Sequence, residues 1–150
     1  MNGVESARLF IHLRNAVVKQ AVICQVTSLA MSCDSVGNLL LAKFSCQGAK
    51  DISVFIPASI VFWLLDHVPV NQDPSLRAPL SVTRITQQDW DADGIPRALS
   101  VNCKQLAQAL RMTFELDRKV PLTVLLDRAN VELMRQMMEN YRKDLINLDA

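Results

Sequence analysis

Four glycines in 150 residues leave little chain for a loop that cradles phosphate with its backbone. No P-loop, G-x-S-x-G elbow or G-x-G-x-x-G fingerprint occurs. Histidine is as scarce: His12 and His67 are the only two, both in apolar context. His67 follows Asp66, but neighbours on a helix point about 100° apart and do not form an acid–base pair. The four cysteines, Cys24, Cys33, Cys46 and Cys103, include no C-x-x-C, so the paired spacing of a zinc site is missing. Each lies in an apolar segment, where buried, reduced thiols are expected.

Charge of one sign is lacking too. The formal net charge is +1, and no basic run exceeds Arg118-Lys119 or Arg142-Lys143. Neither a nucleic acid nor an anionic membrane is therefore an expected partner. The opening residues carry Glu5 ahead of any apolar run, unlike a signal peptide. The longest near-apolar stretch, 52–65, contains Pro57 and falls short of the ~20 residues that span a bilayer. A cytoplasmic location is the expectation.

Half the residues are apolar and 21% are charged, a globular balance. The length suits one domain over 1–150, large enough to bury roughly 70% of its unfolded surface. The central feature is the stretch 40–68, which aligns without a gap on 110–138 at an offset of 70. Leu40 falls on Leu110, Phe44 on Phe114, Val54 on Val124 and Val61 on Val131. Both copies read as strand, tight turn, strand, helix. Carried upstream, the same offset sets Leu29 on Leu99, Met31 on Val101 and Cys33 on Cys103. Two readings fit: an internal duplication, with units 9–68 and 79–138, or convergence of similar alternating patterns. The fold class expected is α+β, a predominantly antiparallel sheet with two helices. Duplication would add tandem strand-strand-strand-helix repeats related by a pseudo-two-fold.

Local signals fill in the elements. Residues 9–13 read as a short strand and 21–32 as a longer one. Asp34 and Gly37 suit the first and fourth positions of a type I turn into a strand at 39–46. Pro57 opens a helix whose run Ile60-Val61-Phe62-Trp63-Leu64-Leu65 is apolar all round, hence buried or facing a partner. A linker at 69–79 holds three prolines. A strand is expected over 80–87, a polar loop over 88–96 and a strand over 98–103 with Leu99, Val101 and Cys103 on one side. At 110–117 apolar and polar residues alternate strictly, the pattern of a sheet with one wet face. Asp127 is placed to cap a helix over 129–145.

Three functional classes follow. The leading one is a non-enzymatic interaction or regulatory module, expected as a homodimer because its all-round apolar helix needs cover. Its contact residues would be Phe62, Trp63, Trp90, Met134 and Met138, the methionines offering an adaptable stripe. The second is a calcium-binding module: Asp89, Asp91 and Asp93 with Gly94 form D-x-D-x-D-G, the front half of a calcium loop. Ser100 then stands where a bidentate glutamate belongs, and an acidic turn between strands competes with that reading. The third is an enzyme with a carboxylate-based site assembled only in space.

Overall fold

The strict alternation at 110–117 is realised as one strand of a six-stranded sheet, whose order is β3-β2-β1-β6-β5-β4. In the computed structural model, residues 22–70, 73 and 75–146 are described. The strands are β1 (Val22–Cys33), β2 (Leu39–Cys46), β3 (Ile52–Pro57), β4 (Ala98–Gln105), β5 (Ala109–Leu116) and β6 (Leu122–Asp127). The helices are α1 (Ala58–His67), α2 (Gln87–Asp91) and α3 (Arg128–Tyr141), the last running into a 3-10 turn at Arg142–Asp144. Among the described residues no helix is long and apolar enough to cross a membrane. The expected strand at 9–13 lies outside the described residues.

Neighbouring strands are antiparallel except at the centre, where Val22–Gln25 of β1 pairs parallel with Leu122–Leu125 of β6. The sheet is therefore mixed, and mostly antiparallel. It also curls until its outer strands touch. Phe55 of β3 and Arg97 form a parallel bridge, and the Phe55 N–H donates to the Pro96 carbonyl at 2.9 Å.

β2 and β5 begin and end 70 positions apart, as do β3 and β6, and α1 and α3 start 70 apart. The first strands follow a different offset. Leu29 pairs with Phe44, whereas Phe114 pairs with Val101, and both ladders slip at a bulge, Val26/Ser28 in one and Ala98/Ser100 in the other. The counterpart of Leu29 is thus Val101, not Leu99, because the β4–β5 turn is two residues shorter. The bulge leaves Leu99 62% exposed, so it does not share the inner side of Val101 and Cys103. Applied to the central pair Gln25–Leu125, these offsets yield Arg97 and Phe55, the pair that closes the sheet.

One core lies inside the curl. Alternation sends Leu40, Ala42, Phe44, Leu110, Met112 and Phe114 inward, and all are at most 2% exposed. α3 packs across β1, β6 and β5, while α1 packs on β3 and β2 and against α3. From α1 come Ile60, Val61, Leu64 and Leu65; from α3 come Leu133, Met134 and Met138. Asp127 caps α3 by accepting from the Asn130 N–H at 2.8 Å.

Two local expectations are overturned. Residues 80–86 form no strand despite their alternation: no backbone ladder joins them to the sheet, which they bind through the Ser81 and Thr83 hydroxyls and, at Arg84, through a carbonyl that accepts from Lys43 Nζ. Residues 87–91 are helix rather than loop. Thr86 and Asp89 form a reciprocal capping box that nucleates it. A third correction concerns sulfur: Cys24 and Cys46 are joined by a disulfide, while Cys33 and Cys103 are free.

Candidate functional site

Residues 80–86 cross the outer face of β1 and β2 as an extended strap, with its pattern turned inside out. Ser81 Oγ donates to the Leu29 carbonyl at 2.6 Å and lies 3.4 Å from Ser28 Oγ. The Thr83 and Ser45 hydroxyls are hydrogen-bonded to each other. These hydroxyls sit inside: Ser28 is 6% and Thr83 7% exposed. Because successive side chains of an extended segment point opposite ways, Leu80 and Val82 must face out. They are 93% and 83% exposed. The sheet face beneath carries Ser28 and Ser45, whose hydroxyls need partners once buried, and the strap supplies them.

Beside the strap runs a groove of about 320 Å³, lined by Ile85 of the strap and by Met137 and Tyr141 of α3, among others. The Tyr141 hydroxyl donates to the Met31 carbonyl at 3.2 Å, fixing the ring as one wall. An apolar ridge and a partly apolar groove thus lie next to each other on one surface.

The strap ends in the Asp89 cluster. Asp89 Oδ2 accepts from the Thr86 N–H at 2.7 Å, and Lys43 Nζ lies 3.1 Å from Asp89 Oδ1. Lys43 also donates to the Arg84 carbonyl at 3.2 Å. The Thr86 hydrogen bond, then Lys43, holds the Asp89 carboxyl below its ordinary value against the opposing effect of burial. Asp91 accepts from Gln87 Nε2 at 3.0 Å, while Asp93 lines a cleft of about 400 Å³ together with Asp51, Ser53 and Lys119. The three aspartates therefore stand on and just beyond a helical turn, with Asp89 and Asp91 already engaged. Among the described residues no group of three His, Cys, Asp or Glu is placed to hold a metal ion.

The other sequence-derived positions are scattered. Trp90 packs on Phe55 with ring centroids 5.8 Å apart, tying α2 to β3. Trp63 is 38% exposed and stacks on His67 at 4.0 Å, and His67 Nδ1 lies 2.8 Å from the Trp63 carbonyl. Phe62 is half-buried beside the core. Met134 and Met138, at 0% and 1% exposure, are inside it. The residues that sequence reasoning missed are Leu80 and Val82, since alternation marks two sides without saying which faces in. The chain matches no protein-family model, no curated protein and no solved structure.

Proposed function

We propose that this chain is a non-enzymatic, self-associating module built from two tandem strand-strand-strand-helix copies. Support for the tandem part is the coincidence of boundaries, bulges and closing pairs at offsets of 70 and 72. Support for self-association is the inverted strap: Leu80 and Val82 stand almost fully in solvent while Ser81 and Thr83 are spent on the sheet. An apolar pair so presented is an interaction surface rather than scattered surface apolarity.

The partner that this surface fits is a second copy. In a two-fold dimer each chain contributes the same patch, so each Leu80–Val82 ridge can enter the other chain's Ile85–Met137–Tyr141 groove. Burying four such side chains contributes roughly 6–12 kcal/mol against an association cost of about 4–15 kcal/mol, so micromolar affinity also draws on the contacts around the ridge. The test is gel filtration of the wild type beside a Leu80→Asp/Val82→Asp variant. The wild type is expected to elute as a dimer and the variant as a single chain with unchanged circular dichroism. Identical elution of the two would sink the assignment of this surface.

A further inference from the structure

The disulfide joins the adjacent strands β1 and β2 at the end of their ladder, whose last pair is Val26–Cys46. Cys46 ends β2, and the β1–β2 ladder begins at Val26. Cys24 lies before that point, in the four residues Val22–Gln25 that pair with β6. One main-chain bond, Gln47 N–H to the Gln25 carbonyl at 2.9 Å, accompanies the sulfur link. At the second junction the matching positions are Pro96 and Leu116, which cannot be cross-linked, and the strands meet in a single bridge. The junction holding the cysteines is thus the one that carries a ladder.

We propose that Cys24 and Cys46 form a reversible redox latch that ties the β6-paired start of β1 to β2 and so steadies the parallel β1–β6 junction. Oxidation joins the two thiols by an S–S bond. Their two electrons and two protons pass to a small-molecule disulfide such as oxidised glutathione, which leaves as two thiols. A dithiol reverses the exchange. Cys24 is 1% and Cys46 9% exposed, so an attacking thiolate reaches the bond only when the first residues of β1 lift. Once the bond is broken, those residues keep only β6 and the Gln25 carbonyl contact, and the junction opens more often.

The test uses the full chain carrying Cys33→Ser and Cys103→Ser, which leaves the latch pair as its only cysteines. After equilibration with oxidised glutathione, denatured samples should show no free thiol, and after dithiothreitol two. Amide exchange of the segments 22–25 and 122–125 should quicken by about tenfold or more on reduction, while 52–57 is unaffected, and should recover on re-oxidation. Adding Cys24→Ser/Cys46→Ser should hold the fast rate in both conditions; if that variant does not fold, the reduced parent alone gives the comparison. Two free thiols after oxidised glutathione, or equal exchange in both states, would overturn the latch.

Discussion

Phe55 and Arg97 meet across the bridge that closes the described sheet, a parallel one with the Phe55 N–H bound to the Pro96 carbonyl at 2.9 Å. The other parallel pair of this kind, Leu125 beside Gln25, ends a four-pair ladder. The sheet thus has two parallel contacts, a four-pair ladder between β1 and β6 and a single bridge at Phe55–Arg97. The Phe55 amide should accordingly exchange slowly for the outward side of an edge strand, yet faster than that of Leu125. Exchange at the rate of a free edge amide would show that the sheet stays open.

Phe55 also anchors Trp90. Phe55→Ala removes that contact and half-buried area, and should cost about 1–2 kcal/mol. Trp90 emission should shift to the red, while Trp63, stacked on His67, supplies a constant background. Urea unfolding followed by fluorescence gives both quantities.

Asp89 caps a short helix and holds Lys43. Asp89→Asn should destabilise the fold by about 1–2 kcal/mol at neutral pH, within the range of lost caps. Its carboxyl lies below the ordinary value when folded. The contribution is therefore present above the unfolded carboxyl pKa and is lost as pH falls through the folded one. Wild type and variant should converge in stability in acid. A gap that persists unchanged there would assign the loss to something other than charge.

Burial pushes the Cys103 thiol up to about 11. Burial first, then Asp34 and Asp144, raises Cys33 as well. At pH 8 alkylation of Cys103 should be about a hundredfold slower than that of an ordinary thiol, rising tenfold per pH unit toward its pKa. Folding favours the protonated thiol, so that stabilisation holds below the unfolded pKa and fades as pH climbs through about 11. Rapid alkylation at pH 7 would contradict the burial of this group.

Gly37 turns the β1–β2 loop with φ +78°, and a Cβ there would collide with the Asp144 backbone carbonyl. Its own carbonyl accepts from Ile146 N–H at 2.7 Å. Gly37→Ala combines left-handed strain with that collision and should cost ~2 kcal/mol or more. Gly48 has a similar φ of +70° in open space, so Gly48→Ala should cost only the strain, about 1 kcal/mol. Thermal melts of the two variants separate the terms.

Where a residue's periodicity and its partners agreed, the sequence was legible. Leu110, Met112 and Phe114 alternate against Arg111, Thr113 and Glu115, and a backbone ladder on both sides realises the pattern. Asp127 capped as its position suggested. The strap deceived because Leu80-Ser81-Val82-Thr83 alternates like a strand, yet its binding runs through hydroxyls. Thr86-Gln87-Gln88-Asp89 did contain the spacing of a capping box, overshadowed by the calcium-like carboxylates that follow it. Cys24 and Cys46, 22 positions apart, carry no local sign of pairing; only strand neighbours bring them together.

Self-association through the strap is tested most directly by sedimentation equilibrium from about 1 to 100 µM, the range in which micromolar dimers form. The wild type should approach twice the 16.8 kDa chain mass, and Leu80→Asp/Val82→Asp should remain at the single-chain mass with its melting transition unchanged. A wild type that stays at 16.8 kDa throughout, or a dimer that the double variant leaves intact, would contradict it.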